Sequence, residues 1–201
     1  MDGRTIRLVV LGDELVAGVG DPRALGWVGR VLARTPQEGL ELASYTLASP
    51  AEGTEELSAR WFGESARRFG DGLENRLVIG LSGRDLELGV STARSRLNLA
   101  NILDAAAQHD IPALVVGPPP GLDASLHSRL AELNAAFADA TSRRRNVYVD
   151  TFTPLLHHEQ WHGDLAANHG KPGQSAYGLL AWLVLHRGWF PWLGLSESAG
   201  S

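Results

Sequence analysis

The stretch IRLVVLGDELVAGVGD, Ile6 to Asp21, is an apolar run that stops at a Gly-Asp pair and continues into a glycine-punctuated turn. Ile6–Leu11 has the Val- and Leu-rich, almost unbroken hydrophobicity of a strand buried on both faces, as strands of a parallel sheet are. Gly12 allows a sharp exit. Glu14 then falls near a helix start, where unsatisfied N–H groups favour a negative side chain. A buried strand that turns through glycine into a helix puts Glu14 at the carboxyl end of the sheet, where open α/β sheets carry their sites.

The alternation repeats outward from this stretch. Further strands are expected at Leu40–Leu47, Leu77–Leu81, Ile111–Val116 and Asn146–Val149. Helical spacing of apolar residues marks Leu25–Arg34, Thr54–Phe69, Ala93–His109, Ala124–Thr141 and Gly173–Arg187. Pro118-Pro119-Pro120-Gly121 stops the fourth strand. Strands separated by helices of this length cannot be hairpin partners, so the expected fold is α/β: a single-domain three-layer sandwich around a mainly parallel five-stranded, flavodoxin-like sheet. The domain is expected over residues 1–190, with 191–201 as a C-terminal tail. Trp182 is expected in the core. The apolar segment GWFPWLGL, Gly188 to Leu195, is expected to pack back on the domain or to form a dimer or partner surface.

Composition narrows the function classes. The chain has 201 residues, enough for one domain, and 23 acidic against 18 basic residues, a formal charge of −5 that argues against a nucleic-acid surface. No apolar run approaches the ~20 residues of a membrane span. No secretory leader pattern is legible, which makes a cytoplasmic location the default expectation. Zero cysteines exclude disulfides, thiolate catalysis and cysteine metal sites. Gly12, Gly18 and Gly20 match neither a dinucleotide nor a phosphate-loop spacing, so no cofactor is expected.

The ordered set VVLGDELVAGVG, ASPAEGTEELSARW, VIGLSGRDL, LVVGPPP, VYVDTF and KPGQSAYGLLA resembles the SGNH (GDSL) hydrolases, single-domain α/β esterases and lipases, over roughly Ile6 to Leu185. The resemblance implies a serine nucleophile at the first turn, a histidine three residues after an aspartate as base, and an oxyanion site of backbone N–H groups and an asparagine. At those positions this chain has Glu14 for the serine, Ala51 for the oxyanion glycine and Arg84 for the asparagine. Asn168 and Lys171 stand for the aspartate and histidine, with Pro172 retained and His169 the nearest histidine should the loop align one residue differently. A carboxylate has no proton to lose in attacking an ester, and asparagine cannot supply the charge that stabilises an imidazolium. The serine mechanism is therefore expected to be lost. Glu14, Arg84 and Lys171 are expected to converge as a cluster of charges, with Glu14 neutralised by the two cations, and Asp85 to bond loop backbone.

The implied role is a pseudo-esterase that binds or scaffolds. Its expected partners are a small anionic ligand at Glu14, Arg84, Lys171 and His169, a protein surface, or a second copy of the chain. The alternative is a hydrolase with a rebuilt site, using Glu14 as general base or a histidine centre around His157, His158, His162 and His169. What separates the two is whether a histidine reaches the turn at Glu14. His158 and His162 are spaced to share a helix face, but no His-Glu-x-x-His pattern or third ligand accompanies them, so no metal is expected. Ser49, Ser82 and Ser175 are the serines in or near the expected site loops.

Overall fold

The computed structural model describes residues 4–36 and 38–196. Five strands, β1 (Arg4–Gly12), β2 (Leu40–Ala48), β3 (Glu74–Gly80), β4 (Ala113–Val116) and β5 (Val147–Val149), form one sheet in the order β2-β1-β3-β4-β5. Every neighbouring pair is parallel. The order reverses between β1 and β3, so the chain leaves these two central strands on the same edge of the sheet but toward opposite faces, opening a crevice between them.

Period-2 burial in β1 shows how the sequence makes this arrangement. Ile6, Leu8 and Val10 face one core with Trp27, Val31, Tyr177 and Ala181, while Val9 and Leu11 face a second core with Leu57, Trp61, Leu99, Leu103 and Phe137. Helices α2 (Gly26–Ala33) and α9 (Gln174–Val184) cover the first face; α3 (Thr54–Ser65), α5 (Thr92–Gln108) and α6 (His127–Ser142) cover the second. Each fully buried leucine or valine here stabilises the fold by about 1.5–3 kcal/mol relative to exposure.

Short helices sit at the carboxyl ends of strands: α1 (Glu14–Ala17) after β1, α4 (Arg84–Glu87) after β3, and α7 (Phe152–Leu155) after β5. A further helix, α8 (Glu159–Ala167), precedes α9 and is stapled by buried Trp161 and Leu165. It takes in the end of the histidine run, with His158 as its N-cap and His162 within it.

Two expectations about the C-terminal region are answered differently. Trp182 is 55% exposed and stacks on His186 rather than entering the core. The buried face of α9 runs through Ala176, Tyr177, Leu180, Ala181 and Val184, and Trp182 lies about 100° around the helix from Ala181. The GWFPWLGL segment does pack back: Trp189 and Leu193 are buried, and Trp189 Nε1 donates to Thr35 Oγ1 at 3.0 Å. Residues 197–201 of the expected tail lie outside the described residues. Among the described residues no helix is long and apolar enough to cross a membrane.

Candidate functional site

Gly12 makes the site possible. Its φ is +153°, and a Cβ there would lie 2.5 Å from the Gly80 carbonyl oxygen and 2.5 Å from Val16 Cγ2, so the ends of β1 and β3 could not approach as they do with any side chain present. Asp13 follows as the N-cap of α1, its carboxylate accepting from Leu15 N–H at 3.0 Å. Burial pushes the Asp13 carboxyl above its usual range, only partly countered by hydrogen bonds from the Ser82 hydroxyl and Leu15 N–H, and the neighbouring Glu14 charge adds to the rise.

Glu14, the first residue of α1, uses its two oxygens differently. Oε1 accepts from Ala51 N–H at 3.0 Å, while Oε2 lies 3.8 Å from Arg84 Nη2. The latter distance is an ion pair without a hydrogen bond. Oε2 of Glu14 and Nε of Arg84 are both buried without a hydrogen-bond partner, and Arg84 Nη1 makes its close pair with Glu87, one helical turn on. Ala51 has φ +56°, a left-handed conformation that a non-glycine residue adopts at a cost of about 1–2 kcal/mol. Glu14 therefore sets its own carboxylate on the N–H that the sequence resemblance assigns to an oxyanion.

Behind this pair the support is dense. Asp85 is buried and accepts from Thr54 N–H at 2.7 Å and Thr54 Oγ1 at 2.6 Å; Asn98 Nδ2 donates to the same Thr54 hydroxyl at 3.1 Å. Buried Glu52 takes both Nε and Nη2 of Arg60, and Arg60 Nη2 also donates to Leu47 O at 2.9 Å. These bonds lock the loop 49–53 that presents Ala51.

The loop 168–172 is clamped from the other side. Asn168 Nδ2 donates to Gly20 O at 3.0 Å, Tyr177 hydroxyl to Val19 O at 2.8 Å, and Asp164 accepts from Gly173 N–H at 2.9 Å and Ala176 N–H at 2.7 Å, capping α9. The expected three-charge cluster is thus only two charges. Lys171 is exposed and makes no ion pair among the described residues; Glu14 meets Ala51 N–H and, at 3.8 Å, Arg84 instead, and Arg84 is shared with Glu87. His169 is exposed, with φ +56°, and is absent from the cavity wall.

Glu14, Arg84 and Lys171 do share one cavity of about 540 Å³. Its walls are apolar over most of their extent, with Leu86, Leu130, Trp161, Leu165, Pro172 and the segment from Pro119 to Leu126 contributing. One histidine reaches this cavity, and it is His127, outside the run that drew attention in the sequence. Its Nε2 lies 2.9 Å from Gly121 O. His162 is held 2.7 Å from Leu156 O and His158 caps α8, so both serve local backbone. Among the described residues no group of three or more His, Cys, Asp and Glu is placed to hold a metal ion.

Sequence reasoning missed His127, Trp161 and Asp164. Trp161 and Leu165 at i, i+4 were the legible signal for α8, and a carboxylate ahead of the Gly173 helix start was the signal for Asp164. His127 had none. Ser82 lines the cavity, but its hydroxyl is engaged by Asp13 and Arg84 N–H; Ser49 and Ser175 do not line it. Among the described residues no serine hydroxyl is hydrogen-bonded to a histidine.

The architecture is matched by solved structures. The chain is similar to TesA (TM-score 0.75, 20% identity, covering 92% of this chain and 98% of that one) and to the lipase/acylhydrolase from Enterococcus faecalis (TM-score 0.74, 20% identity, 96% and 100%). It is also similar to Axe2, an acetylxylan esterase from Geobacillus stearothermophilus (TM-score 0.76, 15% identity, 98% and 100%). Among curated proteins no match was found. The model of the GDSL-like lipase/acylhydrolase family matches residues 10–186, from within β1 to the end of the last core helix, and the chain belongs to that family.

Proposed function

We propose that this protein is a non-catalytic member of its family, a binding domain built on an esterase scaffold. The observation that carries the reading is the seat of Glu14: its Oε1 sits on Ala51 N–H at 3.0 Å. A substrate carbonyl polarised there would have to displace that carboxylate, and the oxyanion forming on it would meet a like charge rather than a free donor. Attack by Glu14 itself would give an anhydride in place of a stable acyl-enzyme. The residues at the base positions, Asn168 and Lys171, cannot relay a proton as an aspartate–histidine pair does; Asn168 is spent on Gly20 O. The retained cavity supports binding of a small molecule.

The test is direct. Purified protein is expected to hydrolyse p-nitrophenyl acetate no faster than a denatured control and to take up no serine-reactive fluorophosphonate. Stoichiometric labelling, mapped by peptide mass spectrometry to Ser82 or another serine, would establish a rebuilt hydrolase instead. Turnover without labelling, lost in Glu14→Gln, would establish Glu14 as a general base.

A further inference from the structure

We infer that the cavity takes a small apolar carboxylate and that Lys171 grips its charged end; this deepens the non-catalytic binding reading and rests on it. Most charges in the cavity wall already have a partner. Asp13 is bonded by Leu15 N–H and Ser82, Glu14 by Ala51 N–H and Arg84, Glu87 by Arg84, and Asp123 by Ser125 N–H and hydroxyl. Arg84 is shared between two carboxylates. Among the carboxylates, arginine and lysine lining the cavity, Lys171 alone has neither an ion pair nor a hydrogen bond to its side chain in the described structure. Although acidic side chains outnumber basic ones around the cavity, its one uncommitted charge is positive.

Sequence and backbone point the same way. Of the 18 basic residues other than histidine, 17 are arginine, and Lys171 is the single lysine. An ammonium on a flexible stem is a compact point charge that can follow a ligand head group, whereas a guanidinium imposes a planar fork. The backbone beneath it is fixed: a Cβ on Gly20 would lie 3.0 Å from Lys171 Cβ and 2.6 Å from Pro172 O, and Asn168 ties the loop to Gly20 O. The stem starts from a held position and its end is free. In the same cavity, Leu86, Leu130, Trp161 and Leu165 offer apolar wall with no unpaired donor, since Trp161 Nε1 is spent on Pro120 O at 2.8 Å. Such a wall accepts hydrocarbon, and the volume suits a small ligand.

The full-length protein is titrated by calorimetry with hexanoate, hexanol and hexylamine, which share a chain and differ only in head group. Hexanoate is expected to bind about ten- to a hundredfold more tightly than hexanol, the range of one charge-assisted hydrogen bond. Hexylamine is expected to bind more weakly than hexanol. In Lys171→Gln, hexanoate should fall to the affinity of hexanol while hexanol is unchanged. Because Lys171 is the only side-chain amine, a second readout needs no variant: hexanoate should slow acetylation of Lys171 by an N-hydroxysuccinimide ester, measured by peptide mass spectrometry, without slowing that of the α-amine. Equal affinities for acid and alcohol, tighter binding of the amine, no binding of hexanoate, or hexanoate binding untouched by Lys171→Gln would each overturn the assignment. Catalytic silence is measured separately by p-nitrophenyl ester turnover, so a failure of the ligand assignment and a failure of the non-catalytic reading are distinguishable.

Discussion

Two carboxylates seven positions apart, Glu14 at the start of α1 and Asp21 in the loop before α2, are held in very different ways. Asp21 has a side chain with no solvent exposure; it accepts from Arg23 N–H and Gly26 N–H at 3.0 Å each and pairs closely with Arg30, itself bonded to Gly26 O at 2.7 Å. The Arg30 guanidinium, with the two backbone donors, pulls the Asp21 carboxyl down to about 2. Glu14 is about a third exposed, has one hydrogen bond, and meets its cation only at 3.8 Å. Asp21 stitches the entry of α2 to the loop before it and is part of the scaffold. Glu14 lines the cavity, and its neighbours satisfy it incompletely. Saturated bonding marks what the fold depends on; partial bonding marks a side chain whose replacement the fold tolerates.

That contrast can be broken most forcefully at Asp21. Asp21→Ala leaves Arg30 buried without a counter-ion and two N–H groups without acceptors, and should cost about 3–5 kcal/mol in urea unfolding. A cost below that of an exposed pair would show that the Arg30 pair is solvated and the comparison wrong.

A pH series sharpens it at intermediate size. The Asp21 carboxyl is depressed in the folded chain, so its contribution, about 2 kcal/mol, is present above the usual unfolded value near 4 and is lost as pH falls toward 2. Asp13 is raised by burial, so the folded state takes up its proton first, and stability should rise as pH falls from neutral toward the ordinary carboxylate range. In Asp13→Asn, which keeps an acceptor for Leu15 N–H, that rise should shrink while the acid-side loss remains. Melting temperatures of both proteins between neutral pH and acid would check this, and parallel curves would show that Asp13 titrates as it does in the unfolded chain.

The smallest effects belong to the site itself. Glu14→Gln should cost no more than about 1 kcal/mol, the range of exposed pairs, and Lys171→Met close to nothing, with the double variant additive because the two side chains do not meet. Urea midpoints of the three variants measure this. A large, non-additive loss would restore the three-charge cluster expected from the sequence.

Much of the molecule was legible before its structure. β1 could be read because Ile6–Leu11 is almost unbroken in its hydrophobicity, and the parallel pairing of five strands followed from helices between strands. α8 was missed because only Trp161 and Leu165 of its nine residues are buried, too little apolar pattern for a helix among histidines and acids. Trp182 was misplaced because apolarity alone does not say which side of a helix a residue occupies. The site was legible in position but not in pairing: Glu14, Arg84 and Lys171 do line one cavity, yet Glu87, three residues after Arg84, competes for the guanidinium. No spacing rule weighs that competition against a long-range partner.

One clasp at the bottom of the sheet bears on how the chain could be rewired. Arg4, the first residue of β1, donates from Nη1 to Leu193 O at 2.5 Å while gripping Glu74 at the start of β3. The described beginning and end of the polypeptide therefore meet beside the middle of the sheet. A short Gly-Ser bridge between residues 196 and 4, with new ends opened at exposed Asp71-Gly72, would yield a circular permutant whose cavity lies at the far end of the strands from both the bridge and the new ends.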